Sequence, residues 1–272
     1  MKKFNSVLSY IFIIIMAVIT LFPFVYMILS SLMTFQEATS LPPTLIPKHF
    51  QWENFRLAME QAPFVRYFFN TIIVAGLSTI GTLITSILAA FALVKLEFKY
   101  KNVVILCMAA LLMVPYEVTV FTNYQTIAQL GLLDTYTALI VPSLASIFYI
   151  FYLNGYLTSI PLFYYKAAKI DGCSDWKYLW KIIIPNTISA VATIGILNFI
   201  ASWNAFLWPL LITNKDSMRV LTIGLTHFTN ESGSQVHLQM AAATIIIVPV
   251  VIIYLFLQKY IISGVTRGGL KG

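Results

Sequence analysis

The chain has 272 residues, of which 59% are hydrophobic and only 10% are charged, and its formal net charge is +7. Soluble globular proteins average about 25% charged residues, so this composition excludes an ordinary water-soluble domain and indicates a membrane protein. The basic residues are spread over short loops between apolar blocks, so we do not interpret the positive charge as a sign of nucleic-acid binding.

The apolar residues fall into blocks long enough to cross a bilayer. A transmembrane helix needs about 20 consecutive apolar residues, because lipid offers no partner to free backbone groups. We therefore predict an all-α, polytopic membrane protein with six transmembrane helices, at Leu8–Leu32, Asn70–Val94, Val103–Val120, Ala138–Leu157, Thr187–Pro209 and Leu238–Gln258. The first block is long, contains Pro23 and lacks a small-x-small cleavage site, so we expect a helix there and not a cleaved secretory signal.

The orientation follows from the basic residues, which favour cytoplasmic loops. With the N-terminus inside, 12 of the 17 lysines and arginines fall on the cytoplasmic side. Both termini are thus predicted to be cytoplasmic. The cytoplasmic turn 95–101, Lys-Leu-Glu-Phe-Lys-Tyr-Lys, is expected to anchor two helices at the lipid headgroups. The first outer loop, Thr34–Tyr67, holds four prolines around a short helix, and either contacts a partner outside or caps the helix bundle.

The loop between the fourth and fifth predicted helices, residues 159–185, is unusually charged for this chain. Pro161 suits the first turn of a helix over 162–170, and Gly172 would end it, because glycine readily takes left-handed dihedral angles. Ser174 can cap a second helix, with Asp175 in its first turn. One apolar stripe is predicted along that second helix, at helical spacing, formed by Trp176, Leu179, Trp180 and Ile183. Pro185 marks the beginning of the next transmembrane helix.

Two interpretations of the 159–185 segment are open from its spacing alone. It could lie on the lipid surface as an amphipathic pair of helices with its tryptophans among the headgroups. It could instead dock on another protein, because the small side chains of Ala167 and Ala168 let a second backbone approach closely.

The segment resembles the cytoplasmic signature of permease subunits from binding-protein-dependent ABC importers. That signature reads Glu-Ala-Ala, two variable residues, Asp-Gly, and after about nine residues an apolar run and proline. Ala167, Ala168, Asp171, Gly172 and Pro185 match it, whereas Lys166 stands where the family usually has Glu and Cys173 where it commonly has Ala. In the family this is the coupling helix, which docks on the ATP-hydrolysing subunit, so the resemblance implies that role for Lys166, Ala167, Ala168, Asp171, Gly172 and Pro185.

The resemblance extends over nearly the whole chain and points to the carbohydrate branch of the family. Leu21–Met27, the Ser202-Trp-Asn-Ala-Phe-Leu-Trp-Pro-Leu stretch and the Gly264–Gly272 tail each look like parts of the smaller six-helix permease of the maltose and multiple-sugar type. It implies one permease domain over 1–272 of the type I importer kind, in a bacterial inner or plasma membrane. Its implied partners are a second, different permease, two ATPase subunits and an extracytoplasmic sugar-binding protein. The ATP would be bound by the ATPase and no cofactor by this chain.

The chain carries none of the motifs that would indicate an enzyme. It has no Gly-x-x-x-x-Gly-Lys-Ser/Thr loop for phosphate and no His-Glu-x-x-His helix, and its two cysteines, Cys107 and Cys173, lack neighbours for a metal site. Besides an importer subunit and a membrane enzyme, a structural membrane scaffold is a third functional class, but a scaffold has no need of an Ala-Ala-x-x-Asp-Gly bend.

Some polar residues of the predicted helices suit a sugar pathway, since amides bond hydroxyls and aromatic rings stack on sugar faces. The candidates for contact with substrate are Glu117, Asn198, Ser202, Trp203 and Asn204. Asn and Ser between helices also often bond only a neighbouring helix. A carbohydrate, in particular an oligosaccharide, is the expected substrate. The alternative is glycerol phosphate or another small polar solute, although no cationic residue lies in the predicted helices to bind a phosphate.

Overall fold

The structure is a computed structural model that describes residues 2–230 and 233–269, with side chains at 9–228, 234–256 and 258. Its helices are, in chain order, α1 (Lys2–Ser31), α2 (Phe35–Ala38), α3 (Glu53–Glu60), α4 (Phe64–Lys95), α5 (Lys101–Leu111), α6 (Tyr116–Gln129), α7 (Tyr136–Ile140), α8 (Ile147–Thr158), α9 (Leu162–Ile170), α10 (Asp175–Tyr178), α11 (Ile184–Trp203), α12 (Leu207–Ile212) and α13 (Val236–Gly269). Short 3₁₀ turns cover Val141–Ser143, Asp216–Met218 and Leu221–Phe228, and Leu179–Ile183 is a π-helical turn. Two-residue strands, β1 (Thr229–Asn230) and β2 (Gly233–Ser234), pair antiparallel. The all-α prediction is thus confirmed, and the last three residues of the predicted Gly/Lys tail lie outside the described residues.

Four of the six predicted transmembrane helices correspond to long apolar helices. Within the described ranges, four helices can cross a membrane by length and composition, or up to six if each of two bent helix pairs is one span. The four are α1, α4, α11 with the residues that precede it from Asp175, and α13. The most apolar part of α1 is unburied, whereas Ser30 and Ser31 at its end are buried, so most of this helix can face lipid or another chain.

The third predicted helix, Val103–Val120, is not one straight helix. It divides into α5 and α6, whose axes differ by 99°. The chain turns over residues 112–115, and Pro115 adopts an extended conformation (ψ 140°) immediately before α6. Proline has no N–H to continue a helix and disfavours a helical residue before it, which explains why the apolar run breaks there.

The fourth predicted helix, Ala138–Leu157, is also divided. The axis bends by 42° between the α7 end and α8, and the free carbonyls at the break are bonded from α4. Thr82 Oγ1 donates to Ser143 O at 2.6 Å and Thr85 Oγ1 to Leu144 O at 2.6 Å. Gly81 makes this contact possible, because a Cβ there would lie 2.2 Å from the Leu144 side chain.

The fifth predicted helix ends earlier than Pro209. α11 stops at Trp203, and a short break separates it from α12. Pro209 cannot continue a helix from α11, since its ring would clash with the carbonyl of Ala205, four residues earlier. That carbonyl is free to accept a 2.6 Å hydrogen bond from Thr222 Oγ1.

The described residues group into two compact units, Met1–Val65 with Ile223–Pro249, and Arg66–Thr222 with Val250–Gly272. In the first unit, the buried Asn54 of α3 donates from Nδ2 to Ser31 O at 2.9 Å and Met33 O at 2.8 Å. These carbonyls belong to the end of α1, where no helical partner remains for them. The predicted short helix in the first outer loop is therefore confirmed as α3, and it caps α1.

The second unit contains a hydrophobic core that joins transmembrane helices to the 159–185 segment. Its members are buried residues from α4, α8, α9, α10, the π turn and α11, namely Ile87, Ala90, Phe91, Leu93, Ile150, Leu153, Leu157, Ala168, Tyr178, Leu179, Ile183, Ala190 and Ile194. The segment is consequently packed on the helices and is not a detached surface loop.

Candidate functional site

The bend of the 159–185 segment is formed by backbone hydrogen bonds around Gly172. Cys173 N donates to Ala168 O at 2.9 Å and Gly172 N to Lys169 O at 3.0 Å, the paired bonds of a Schellman C-cap. Gly172 has φ +74°, in the left-handed region, and a Cβ added there would meet nothing within 4 Å. The predicted bend at Gly172 is confirmed, and glycine is required by the backbone conformation and not by lack of space.

A second helix begins immediately after the bend. Ser174 caps α10, its hydroxyl accepting a 3.3 Å hydrogen bond from Lys177 N, and Asp175 occupies the first turn. Both features agree with the sequence-based prediction. The helix continues through the π turn Leu179–Ile183 into α11, so α10 and the transmembrane helix are continuous.

The carboxylate of Asp175 also bonds back to α9, which the sequence analysis did not predict. It accepts a 2.6 Å hydrogen bond from Tyr165 Oη and lies 2.7 Å from Lys169 Nζ. The hydrogen bond to Asp175 raises the pKa of Lys169, and the Lys169 ammonium lies 5.4 Å from the centre of the Tyr165 ring. Tyr165, Lys169 and Asp175 thus hold the two short helices at a defined angle on either side of Gly172.

The predicted apolar stripe of the second helix faces two directions. Leu179 and Ile183 are buried in the core, together with Tyr178, whereas Trp176 and Trp180 are 62% and 44% exposed and contact each other. Trp176 and Trp180 are four residues apart and lie on one edge of the stripe, whereas Leu179 and Ile183, also four apart, lie on the edge that faces the core. The prediction that all four residues share one face is wrong.

The signature residues lie mostly on the free surface of the segment. Lys166, Ala167, Asp171, Gly172 and Pro185 are exposed. Ala168 is the exception, with 9% exposure at the edge of the core. Exposed apolar side chains lie in the same segment, namely Leu162, Phe163, Tyr164, Ile170, Trp176 and Trp180. The segment therefore combines a rigid, packed rear face with an exposed surface, the front face, which carries these apolar side chains and the lysines Lys166, Lys177 and Lys181.

A second candidate site is a cavity of about 270 Å³ in the same unit, with a mainly apolar lining that includes several polar side chains. Its lining comes from α4, α6, the α7 region, α11 and α12, and consists of Val74, Tyr116, Asn123, Leu139, Pro142, Ser143, Asn198, Ala201, Ser202, Ala205, Trp208 and Pro209. The lining contains amides, hydroxyls and aromatic rings, and none of these side chains is charged. Such a surface can bond the hydroxyls of a neutral solute and contact its apolar faces.

Of the five predicted pathway residues, the structure brings two to this cavity, Asn198 and Ser202. Asn198 also donates from Nδ2 to Thr79 Oγ1 of α4 at 3.3 Å. Trp203 is only 1% exposed and packs between Phe68 and Phe199. Asn204 caps the end of α11 and is exposed.

Glu117, the fifth predicted pathway residue, lies in the first turn of α6 and is exposed. Its neighbour Tyr116 lines the cavity instead. A carboxylate at the start of a helix is favoured by the helix dipole, which accounts for this position without a substrate. Contact of Glu117, Trp203 or Asn204 with substrate stays a prediction.

The cavity also contains four residues that the sequence did not indicate, Tyr116, Asn123, Ser143 and Trp208. The first two follow Pro115 in α6, and the break at that proline is what turns them towards α11. Trp208 is held by a 3.0 Å hydrogen bond from Nε1 to Ala138 O. The proline was the available signal, since a proline inside an apolar run marks a helix boundary at which polar side chains can converge.

Neither site has the ligands of a metal centre. Within the described ranges, His, Cys, Asp and Glu side chains do not form a group of three or more that could hold a metal ion. Cys107 and Cys173 are free thiols.

Comparisons with known proteins agree with this geometry. The family of binding-protein-dependent transport system inner membrane components matches residues 81–267. The arabinooligosaccharides transport system permease protein of Halalkalibacterium halodurans is 31% identical, over 100% of this chain and 99% of that protein. The sn-glycerol-3-phosphate transport system permease protein of Yersinia enterocolitica is 30% identical, over 95% of each chain. The sulfoquinovosyl glycerol transport system permease protein of Agrobacterium fabrum is 34% identical, over 93% of this chain and 89% of that protein.

A solved structure has the same fold. It is a bacterial ABC transporter involved in the import of the acidic polysaccharide alginate, with a TM-score of 0.82, 24% identity, and coverage of 95% of this chain and 96% of that chain. The family match covers the bent 159–185 segment and the helices on which it packs. The chain therefore belongs to the binding-protein-dependent transport system inner membrane components, the permeases of ABC importers.

Proposed function

We propose that the chain is a permease subunit of an ATP-driven importer for a neutral carbohydrate, and that its 159–185 segment docks on the ATPase subunit. The observation that carries the proposal is the construction of that segment. Its bend is held by the Gly172 C-cap and by Tyr165, Lys169 and Asp175, its rear face is part of the transmembrane core, and its front face is exposed. A rigid element of this kind can pass a partner's motion to the membrane helices.

The proposed mechanism is alternating access. Two ATPase subunits close on ATP, the docked segments move with them, and the helices that form the pathway change between two packed states. The ATP belongs to the ATPase, and this chain binds no cofactor. A second permease completes the pathway, and an extracytoplasmic binding protein delivers the solute. We further propose that both termini lie in the cytoplasm and that each of the two bent helix pairs forms one of six transmembrane spans.

In this mechanism, Lys166 must contact a different group of the ATPase from the one that a glutamate at this position would contact. It is exposed on the front face, where the resemblance leads us to expect a glutamate. An ammonium cannot replace a carboxylate in the same contact, so we propose an acidic group on the ATPase opposite Lys166. The neighbouring Ala167 and Asp171 keep the family's residues.

The uncharged lining of the cavity, with its amide and hydroxyl groups, favours a neutral sugar. The relative named for arabinooligosaccharide transport supports an oligosaccharide. Glycerol phosphate is the second candidate, favoured by the Yersinia enterocolitica relative. A phosphate would prefer cationic partners, which the described cavity lining does not supply.

The test begins with gentle purification of this chain from its native membrane and mass spectrometry of the proteins retained. An ATPase and a second permease should be recovered together with it. The purified complex, in proteoliposomes with its binding protein, should then take up labelled arabino-oligosaccharides on ATP addition, with little competition from sn-glycerol 3-phosphate. Recovery of the folded chain without an ATPase would contradict the proposal. If uptake is blocked only by sn-glycerol 3-phosphate, glycerol phosphate replaces the sugar as the proposed substrate.

A further inference from the structure

A buried lysine lies at the cytoplasmic end of α4. Lys95 is the last residue of that helix, and it is only 6% exposed. We expected it among the lipid headgroups with the rest of the 95–101 turn, and the structure contradicts this. Lysine is seldom buried without a partner, because removing its charge from water is costly.

The partner of Lys95 lies 65 residues further along the chain. Its Nζ donates a 2.9 Å hydrogen bond to Ile160 O. Ile160 lies between α8 and α9 and packs against the hydrophobic core, and Pro161 follows it at the start of the bent segment. The bond therefore joins the end of a transmembrane helix to the corner from which the 159–185 segment begins.

Helix α4, which ends at Lys95, also reaches the cavity that Asn198 lines. Val74 of α4 contributes to the cavity lining, and Thr79 of α4 accepts the hydrogen bond from Asn198. Near its cytoplasmic end, Phe91 packs with its ring centre 6.4 Å from that of Tyr178 in α10. One continuous helix thus contacts the segment at one end and the cavity further along.

We infer that Lys95 is a positioning residue that couples the 159–185 segment to α4, so that movement of the segment reaches the cavity that Asn198 lines. This inference rests on the proposed function of the segment. The apolar contacts alone would allow the corner at Ile160 to slide along α4, whereas a charged donor on a single carbonyl fixes the point of contact. The charge is further favoured at the carbonyl-bearing end of the helix.

A merely structural role predicts something different. If Lys95 only satisfies the Ile160 carbonyl, its loss should lower stability, and the protein that still folds should keep its ATP-driven changes at the cavity. If it couples the two elements, the complex should assemble and hydrolyse ATP while the cavity no longer responds. The readout must therefore be at the cavity, not at the lysine.

The experiment uses the complex of this chain with its co-purified partners in proteoliposomes. Cys107 and Cys173 are replaced by alanine, and Ala201→Cys places a single thiol on the cavity lining. Labelling of that thiol by a membrane-impermeant maleimide is measured with and without ATP plus vanadate, and ATP hydrolysis is measured in parallel. No knowledge of the transported solute is needed.

In the parent we expect ATP with vanadate to change the labelling rate about ten-fold, within the usual range for coupled sites. Lys95→Met keeps the apolar stem and removes the donor, and should reduce the change to less than about two-fold while hydrolysis continues. Lys95→Arg should restore most of it. Lys101→Met is the matched control, since Lys101 Nζ also bonds a carbonyl, Leu96 O at 3.3 Å, but within its own turn.

A full labelling change in Lys95→Met, or equal losses in Lys95→Met and Lys101→Met, would overturn the inference alone. If Lys95→Met does not accumulate in the membrane, Lys95→Gln, a neutral donor, is measured in the same way and should show an intermediate response. Absence of any ATP-dependent change in the parent would overturn the proposed function, and this inference with it.

Discussion

Tyr165 Oη donates a 2.6 Å hydrogen bond to the carboxylate of Asp175, across the bend at Gly172. The two residues lie on different short helices, ten positions apart, and Lys169 completes the contact at 2.7 Å from the same carboxylate oxygen. The bend is therefore stabilised by side chains as well as by the backbone of its glycine. A segment held in this way can act as a lever.

The first prediction concerns this contact. Tyr165→Phe removes the hydroxyl and leaves the ring in place, which should weaken the bend by about 1.5 to 3 kcal/mol, the usual size of a hydrogen bond to a charged group. We expect more ATP hydrolysed per sugar imported, measured in proteoliposomes with labelled arabino-oligosaccharides. Tyr100→Phe is the control, since Tyr100 is exposed and lies outside the 159–185 segment. Equal coupling in the two variants would show that the hydroxyl has no part in transmission.

The second prediction concerns Gly172. A valine side chain would have space at position 172, but its backbone would be strained in the left-handed conformation. A residue with a Cβ in that conformation costs about 1 to 2 kcal/mol, and a β-branched residue costs more. Gly172→Val should uncouple ATP hydrolysis from uptake while the protein remains in the membrane. Gly155→Ala is the control, because an added Cβ at this helical glycine also meets nothing within 4 Å. Normal uptake by Gly172→Val at normal expression would refute the lever mechanism.

The third prediction concerns Lys166, the departure from the family signature. If an acidic group of the ATPase faces it, Lys166→Glu replaces an attraction with a repulsion and should weaken assembly several-fold, because like charges placed together at an interface are costly. The measurement is the amount of ATPase retained by the tagged permease at low and high salt. Lys99→Glu, at an exposed lysine outside the segment, should leave retention unchanged. Tighter retention by Lys166→Glu would show that the family's glutamate suits this partner better.

The fourth prediction concerns Asn123 on the cavity lining. Asn123→Leu keeps the branching of the side chain and removes the donor and acceptor groups, so a bonded sugar hydroxyl would lose about 1 kcal/mol or more per hydrogen bond. We expect uptake of arabino-oligosaccharides to fall about five- to ten-fold with assembly intact, since 1.4 kcal/mol corresponds to a factor of ten.

Asn154→Leu provides the comparison for the cavity variant. Asn154 lies in α8 away from the cavity lining, and its Oδ1 accepts a hydrogen bond from Thr158 of the same helix. An equal fall in uptake for both variants would mean that the loss reflects membrane packing. Ser202→Ala, on the same lining as Asn123, should give a smaller loss in the same direction.

The sequence predicted helices most accurately where a long run of apolar residues determines the structure. α1, α4 and α13 contain the expected spans, since a long uninterrupted apolar run has no other way to satisfy its backbone in lipid. The breaks at Pro115 and before Pro209 were missed because hydropathy measures side chains and does not register a lost N–H. An i, i+3, i+4 pattern likewise indicates neither the π turn at Leu179–Ile183 nor which edge of the apolar stripe faces the core.

By itself, the sequence determined the membrane class of this protein, its all-α fold and the position of the bend at Gly172, because these depend on composition and on local backbone preference. Only the tertiary structure decided that Tyr165 and Lys169 meet Asp175, that Asn123 and Asn198 share a cavity, and that Lys95 is buried against Ile160 O. Those contacts join residues from separate helices. They depend on how the helices pack, which the spacing of residues along the sequence does not specify.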